Sequence, residues 1–310
     1  MWMRWKLSES LFIAIRAMHR ESFTADKSVD SIIAVHGIGV DPKTTWVHKK
    51  TQVNWLSDQK MLPSSLPTAR IMVFGYNSIW FGKDAVRQSL DSLANKLLRE
   101  LMRKREACPQ RPIIFIAHCS GGLIIQRAYT IAALHMTHYP HLAGSIRGMV
   151  FLGTPHQGLA NDSNLGSQSQ VYAAIVAANA HIEDNVLLTL VQNNDVLVSA
   201  VHEFSRMIKD LKPAPRLFCF YEQKVTNVGV IVAGNLPLEF VVGESSATLV
   251  SHEKEGLALD HFGINEFENV EDNHYQCVLE HIKQMVREAK SIEDAAPGKQ
   301  QLLIKPEIVM

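Results

Sequence analysis

Residues 112–129, PIIFIAHCSGGLIIQRAY, decide the fold of this chain. Residues 113–116 are apolar and rich in β-branched side chains, which is typical of a buried strand, and residues 123–129 have helical spacing. Between them lies the sequence AHCSGG, residues 117–122, which is crowded with small side chains. A strand, a tight turn and a helix in this order are the layout of a nucleophile elbow, a strained turn that holds a reactive side chain at the end of the strand.

The turn contains two candidate nucleophiles, Cys119 and Ser120. The tight backbone requires small residues two positions before and two positions after the nucleophile. If Ser120 were the nucleophile, the position two before it would hold His118, which is too large. With Cys119 in this role, the two positions hold Ala117 and Gly121, and both are small enough. The sequence therefore predicts Cys119 as the nucleophile.

Strands and helices alternate along much of the chain. Further strand patterns occur at residues 31–37, 70–77, 148–155, 216–221 and 239–242, and amphipathic helix patterns at 83–106 and 271–289. This alternation predicts a mostly parallel sheet with helices on both faces. In such a sheet the site lies beyond the carboxyl ends of the strands. The reactive residue types found at those ends are His36, Cys119, His156, Glu222 and His261.

Three segments lie outside this alternation. Residues 1–30 form an N-terminal extension whose apolar patch, residues 11–15, is too short to cross a bilayer. For residues 1–20 a surface helix packed on the core is favoured over a membrane-surface role. Residues 159–212 are long helical stretches of Ala, Val and Leu, predicted to form a cap insertion that lines an acyl pocket or, alternatively, fills the core. Residues 296–310 are predicted to be a loose tail.

The composition excludes several classes of protein. Lys and Arg total 31, and Asp and Glu also total 31, so no overall charge favours nucleic acid. The four cysteines form neither a CxxC nor another metal-ligand spacing, and neither a metal nor a cofactor is predicted. So few cysteines in 310 residues also argue against a disulfide framework, and we expect a reducing, cytoplasmic location.

A cysteine nucleophile needs a base nearby, or a lowered pKa, to react near neutral pH. The helix that begins after Cys119 favours the thiolate, because its N-terminus is positive. His252, His261 and His274 are the candidates for the base. His274 begins the final helix and His252 lies in a charged stretch, whereas His261 lies in the apolar-flanked loop ALDHFGI. His261 is the predicted base.

The acid that orients this histidine is predicted to be Glu222. Residues 223–251 contain no aspartate, and Glu222 ends the strand RLFCFYE. Asp162 is the alternative acid, and an ordinary solvated carboxylate is the alternative role for Glu222. The backbone amides of Ser120 and Ile38 are predicted to form the oxyanion hole.

The other reactive residue types have simpler interpretations. The remaining cysteines are predicted to be small buried side chains, as is usual for this residue: Cys108, Cys219 and Cys277. Three histidines are predicted to make structural hydrogen bonds: His36, His118 and His156.

Six segments taken in chain order carry a family resemblance: IIAVHGIG, FIAHCSGGLIIQRA, MVFLGTPHQG, FCFYE, EFVVGESSATL and LDHFGI. They resemble the lipase-like α/β-hydrolases related to serine-active-site and GPI-inositol-deacylase-type proteins, over about residues 30–288. The resemblance implies an α/β-hydrolase domain at residues 31–295 with a helical cap. It assigns the nucleophile, base and acid roles to Cys119, His261 and Glu222.

The elbow of that family reads Gly-His-Ser-Leu-Gly-Gly, and this chain departs from it at Ala117 and Cys119. The cysteine form resembles a fungal branch of stand-alone thiohydrolases and acyltransferases that release chains from iterative polyketide synthases. It implies hydrolysis or macrolactonisation of an acyl thioester, with the acyl-carrier domain of a polyketide synthase as partner. An esterase or lipase-type hydrolase of oxygen esters and a non-catalytic interaction module are the alternatives.

Overall fold

The computed structural model describes residues 14–17, 30–37, 40–78, 89–157, 195–210, 212–227, 238–250 and 252–295. The strands in these residues are β1 (Ala14–Ala17), β2 (Ser31–Val35), β3 (Arg70–Gly75), β4 (Ile113–His118), β5 (Ile146–Leu152), β6 (Arg216–Glu222), β7 (Thr226–Asn227), β8 (Leu238–Glu239) and β9 (Glu253–Leu257). The helices are α1 (Leu62–Ser65), α2 (Leu90–Lys104), α3 (Gly121–Leu134), α4 (Leu142–Ser145), α5 (Asp195–Asp210), α6 (Glu244–Ala247) and α7 (Asn273–Ala295).

Seven of the described strands form one sheet in the order β1-β3-β2-β4-β5-β6-β9, and β7 pairs with β8 separately. Strand β1 runs antiparallel to β3, and the other neighbours in the seven-stranded sheet are parallel. The central strand, β4, leads through the turn at residues 119–120 into α3. A mostly parallel sheet between helices, with an elbow between a central strand and its helix, is the α/β-hydrolase fold. The predicted fold class is confirmed.

The sheet separates two apolar cores because side chains of one strand alternate between its faces. Ile33 and Val35 of β2 join the core beneath α2, α3 and α5, whereas Ile32 and Ala34 join the core beneath α7. All four side chains are fully buried. Both faces of β2 are therefore covered by protein, as parallel strands require.

The connection between β2 and β3 is polar in sequence, yet it is anchored by two fully buried tryptophans, Trp46 and Trp55. Trp55 packs edge-on against Phe267, with ring centroids 5.2 Å apart, and its indole N–H donates to the carbonyl of Asn265 at 2.9 Å. Phe267 and Asn265 belong to the loop that follows His261. The tryptophans thus fix the loop that carries the predicted base.

Two edge strands differ from the sequence predictions. Residues 14–17, expected to belong to a surface helix, form β1 and extend the sheet beside β3. The last strand of the sheet is β9 at residues 253–257, whereas the strand predicted at 239–242 is reduced to residues 238–239 of β8. Glu253, Lys254 and Glu255 of β9 are exposed. Charge of this kind protects an edge strand, and it also hides the apolar alternation that reveals a strand.

Helix α5 is the part of the predicted cap that the structure describes. Phe204 of α5 packs edge-on against Tyr129 of α3, with centroids 5.6 Å apart. This helix therefore packs on the layer that covers the sheet, and the cap stays a prediction for residues 159–194, which lie outside the described residues. Residues 1–13 and the predicted tail at 296–310 also lie outside them. No helix among the described residues combines the length and apolar character needed to cross a bilayer.

Candidate active site

The strained residue of the elbow is Cys119. Its φ is 53°, in the left-handed region that costs a side chain energy, whereas Ser120 has an ordinary helical φ of −61°. A Cβ added at Gly121 would lie 2.4 Å from the carbonyl oxygen of Val35, so this position accepts only glycine without displacing the backbone. The strand and turn therefore present Cys119 as the apex of the elbow, and its side chain is partly exposed.

The end of β2 lies directly against Cys119. A Cβ added at Gly37 would lie 2.7 Å from the Cβ of Cys119 and 3.3 Å from its Sγ. The backbone of the His-Gly loop therefore approaches the thiol closely, as an oxyanion loop must. Ile38, whose amide is a predicted oxyanion donor, lies outside the described residues. Ser120, the other predicted donor, is the N-cap residue of α3.

His36 fixes this strand end through structural contacts. Its Nδ1 donates to the carbonyl of Gly37 at 2.8 Å, and its Nε2 accepts from the amide of Tyr76 at 3.3 Å. The two rings stack with centroids 4.2 Å apart, and the Tyr76 hydroxyl donates to the carbonyl of His36 at 2.9 Å. Burial lowers the pKa of His36 to about 4, so the ring is neutral near pH 7.

His261 and Glu222 form a buried pair next to the thiol. The Nδ1 of His261 lies 3.2 Å from Oε2 of Glu222, and the exposed fractions of the two side chains are 3% and 0%. Neither atom has an aligned hydrogen-bond partner, so the contact has the geometry of an ion pair. The Cys119 thiol lies close enough to the His261 ring to act on it electrostatically. The structure thus brings together the three residues predicted as nucleophile, base and acid.

The imidazole of His261 carries the positive charge of this group. Burial lowers the pKa of His261, but the Glu222 carboxylate and the Cys119 thiolate outweigh it and raise the pKa to about 10. The imidazolium form is therefore favoured near neutral pH while both neighbours carry negative charge. An anionic thiolate paired with an imidazolium is the reactive state of a cysteine nucleophile.

Glu222 is held by the backbone of a later segment. Its Oε1 accepts the amide of Val242 at 2.6 Å, and the residue is almost fully buried. The alternative interpretation of Glu222 as a solvated surface carboxylate is therefore wrong. Asp162, the alternative acid, lies outside the described residues.

The other two candidate bases are not paired with Glu222. The Nδ1 of His274 lies 3.3 Å from Oδ1 of Asp272 at the start of α7. His252 precedes β9 and is half-buried, and this burial lowers its pKa.

Thr226 and His118 hold the backbone of His261 through hydrogen bonds, and neither contact is predicted from the sequence. The amide of His261 donates to the Thr226 hydroxyl at 3.0 Å, and Nε2 of His118 donates to the His261 carbonyl at 2.9 Å. Burial lowers the pKa of His118 well below its ordinary value, so the ring donates as a neutral imidazole. The sequence predicts structural hydrogen bonds for His118, and its position next to Cys119 indicates that these bonds belong to the site. Nothing in the sequence pointed to Thr226.

The apolar core contains a second cysteine–histidine pair, whose charge state differs from that of Cys119 and His261. The Sγ of Cys219 lies 3.8 Å from Nε2 of His156, and the amide of Gln126 donates to Nδ1 of His156 at 2.8 Å. Burial raises the pKa of Cys219 to about 12 and lowers that of His156 to about 3. Both groups are therefore neutral, which agrees with the structural roles predicted for them.

Gly153 leaves room for the imidazole of His261. It has a φ of 57°, and an added Cβ would lie 3.2 Å from Nδ1 of His261. We expect Gly153→Ala to lower the acylation rate of Cys119 at least about tenfold, because the strain of about 1–3 kcal/mol and the contact both displace the ring. The measurement is single-turnover acylation by a small acyl thioester.

Gly144→Ala is the matched control for this change. A Cβ at Gly144 has no atom within 4 Å, so the variant should acylate at the parental rate. A Gly153→Ala protein that folds and also keeps the parental rate would contradict the role of Gly153.

Comparisons with known proteins give only distant similarities. No protein-family model matches the chain. Protein SERAC1 of Danio rerio is 27% identical over 179 residues, which are 50% of this chain and 25% of that protein. The chain thus spans about a quarter of the length of this relative.

Two solved structures have a similar overall layout. A lipase-esterase related protein from Clostridium acetobutylicum has a TM-score of 0.43 and 12% identity, with 84% of this chain and 95% of that chain covered. Esterase B from Lactobacillus rhamnosis has a TM-score of 0.47 and 11% identity, with 92% of this chain and 91% of that chain covered. The fold assignment rests on the strand order and the elbow.

Proposed function

We propose that the protein is a cysteine acyltransferase or thioester hydrolase that acts through an acyl-enzyme on Cys119. The observation that carries the proposal is the position of Cys119 at the strained apex of the elbow, beside the buried His261–Glu222 pair. A strained nucleophile, a base within reach and a group that orients the base are the parts of nucleophilic acyl transfer.

The first half-reaction transfers the acyl group to the enzyme. The Cys119 thiolate attacks the acyl carbonyl, and the tetrahedral oxyanion forms beside the amides of Ser120 and Ile38. The carbon–sulfur bond to the leaving thiolate then breaks, and the His261 imidazolium protonates that thiolate. The products are a Cys119 thioester, a free thiol and a neutral imidazole.

The second half-reaction transfers the acyl group to an acceptor. The neutral His261 removes a proton from water or from a hydroxyl of the bound chain, and the acceptor oxygen attacks the thioester carbonyl. Cys119 leaves as a thiolate and His261 is again an imidazolium, so the site returns to its initial state. Glu222 stabilises the imidazolium in both half-reactions.

The substrate class follows from the nucleophile and from the family resemblance. The free-energy change for exchange of one thioester for another is close to zero. In contrast, attack of a thiol on an oxygen ester forms an acyl-enzyme that is higher in free energy than the substrate. The proposed substrate is therefore an acyl thioester, and the proposed donor is the acyl-carrier domain of a polyketide synthase. The proposed location is cytoplasmic, since such carriers are intracellular and the cysteine must remain reduced.

The choice of acceptor decides the product. A hydroxyl of the acyl chain that is held next to the Cys119 thioester can have an effective molarity of about 10⁵ M or more, far above the concentration of water. If the predicted cap excludes water, ring closure to a lactone exceeds hydrolysis to the free acid.

Matched substrates test the proposal. We expect kcat/KM for a hydroxyacyl thioester of a small thiol to exceed that for the oxygen ester of the same acid by at least about 100-fold, because only the thioester exchanges without an energetic penalty of about 3 kcal/mol. Product analysis by liquid chromatography separates lactone from free acid in the same assay.

Cys119→Ser is the control for this comparison, because an alkoxide nucleophile reduces the preference for the thioester. A clear preference for the oxygen ester that still requires Cys119 would exclude the carrier-thioester function. The protein would then be a cysteine esterase, the alternative function.

A further inference from the structure

A second set of cysteine, histidine and glutamate side chains lies where the edge of the sheet meets the last helix. Cys277 and His281 are four residues apart on α7 and therefore lie on the same face of the helix. Glu255 lies on β9, the neighbouring edge strand. One potential ligand atom from each of the three residues lies within 4.8 Å of the other two, and no other set of three does so within the described residues.

Neighbouring contacts hold this cluster in place. The His281 ring stacks on Phe218 of β6 with centroids 3.5 Å apart, which fixes the plane of the imidazole. Its Nε2 lies 3.9 Å from Oε2 of Glu255, and the Cys277 sulfur lies within 4.8 Å of a carboxylate oxygen of the same glutamate. Glu255 is exposed while Cys277 and His281 are partly buried, so the cluster borders solvent on the side of Glu255.

The charges around the cluster favour a cation. The carboxylates of Glu253 and Glu280 act on His281 in addition to that of Glu255. Arg216 opposes them, but its guanidinium is already paired with Glu253 and with Glu288. Glu253 is itself paired with Arg216 and Glu280 with Arg287, so Glu255 is the carboxylate that acts most strongly on His281.

We propose that Glu255, Cys277 and His281 bind a zinc ion. One sulfur, one nitrogen and one oxygen ligand suit Zn²⁺, whereas Mg²⁺ and Ca²⁺ require oxygen ligands. Tetrahedral zinc bonds of about 2.0–2.3 Å place one sulfur, one nitrogen and one oxygen ligand about 3.3–3.6 Å apart, so the present separations, which are within 4.8 Å, need to contract by up to about 1.3 Å. The fourth position is open to solvent and takes a water molecule.

The catalytic residues have the same three side-chain types but a different arrangement. The Cys119, His261 and Glu222 side chains form a row with the imidazole in the middle, and their ligand atoms do not converge within 4.8 Å. The imidazole therefore separates the thiol from the carboxylate there, which suits proton transfer. At the edge of the sheet all three ligand atoms converge on one point, which suits a metal.

Zinc at this position ties β9 to α7. These two elements flank the loop at residues 258–272, which carries His261. A bond between Glu255 on one side of the loop and the helix on the other is therefore expected to stabilise the folded protein and the loop, without zinc contacting the substrate.

The test uses the full-length, reduced Cys119→Ala protein, so that the catalytic thiol cannot compete for metal. Titration with zinc chloride in a calorimeter should give one site per chain and raise the thermal unfolding temperature by several degrees, whereas magnesium chloride should do neither. With cobalt(II) in place of zinc, a thiolate-to-metal absorption band should appear in the near ultraviolet.

Single substitutions in this background distinguish the proposed ligands from other thiols and imidazoles. Cys277→Ser and His281→Gln should each weaken zinc binding at least about 100-fold, because loss of an outer-shell partner alone costs about 10–100-fold. Cys277→Ser should also remove the cobalt band, and Cys108→Ser should change neither readout. The proposal is overturned if zinc does not bind, or if it binds equally well to the Cys277→Ser and His281→Gln proteins.

Discussion

Cys119→Ala is expected to abolish the covalent acyl-enzyme, while Ser120→Ala retains it. The structure supports this outcome because Cys119 occupies the strained left-handed position and Ser120 already has helical geometry. Incubation with a reactive acyl thioester followed by intact-protein mass spectrometry should show one added acyl group. In the Cys119→Ala protein the rate of acylation should fall by several orders of magnitude, as it does when other triad enzymes lose their nucleophile.

Cys108→Ser controls for non-specific acylation of a partly exposed thiol elsewhere in the protein. Peptide mapping should place the acyl group on Cys119 in both the parental and the Cys108→Ser proteins. An acyl adduct that persists in Cys119→Ala at the parental rate would refute the assignment of the nucleophile.

His261→Ala is expected to lower kcat/KM for an acyl thioester by about 10²–10⁴-fold, the usual contribution of a general acid–base group. Glu222→Gln should cost less, because it removes the charge that stabilises the imidazolium but leaves the base in place. The carboxylate of Glu222 is also one of the causes that raise the pKa of His261 to about 10. His261 in Glu222→Gln should therefore lose its proton at a lower pH, which NMR titration of the imidazole would show.

Asp162→Asn is the comparison that separates the two candidate acids. It should leave both the turnover and the titration of His261 close to those of the parent. If Asp162→Asn were far more damaging than Glu222→Gln, the acid would follow β5 instead of β6. The buried contact between Glu222 and His261 would then be structural.

The elbow could be predicted from sequence because its constraints are local. The requirement for small residues around Cys119 acts over five consecutive positions, and the clash of a Cβ at Gly121 with the Val35 carbonyl shows the physical basis of that requirement. Glu222 and His261 could be predicted from their places in the chain. Glu222 ends the strand RLFCFYE, and His261 lies in the loop before the final helix. The structure places His261 next to Cys119 and Glu222 next to His261.

The remaining parts of the site depend on contacts between distant segments, which no local pattern reveals. Val242 approaches Glu222 through a backbone amide, so its side chain carries no signal of the contact. Gly153 has the same appearance as any loop glycine until its φ and its distance to His261 are known. Glu255 meets Cys277 only because β9 lies beside α7, and β9 itself escaped the sequence analysis because its exposed residues are charged.

The hydrogen bond from His118 to the carbonyl of His261 has a consequence for how this protein can evolve. His118 is adjacent to Cys119, so one of the contacts that set the spacing between thiol and imidazole comes from the elbow itself. The loop between β9 and α7 can therefore accept substitutions at its exposed positions while the two reacting groups stay in register. Surface loops are where sequences diverge most readily. Substitutions at those exposed positions can therefore change what the site binds while Cys119 and His261 keep their relative positions.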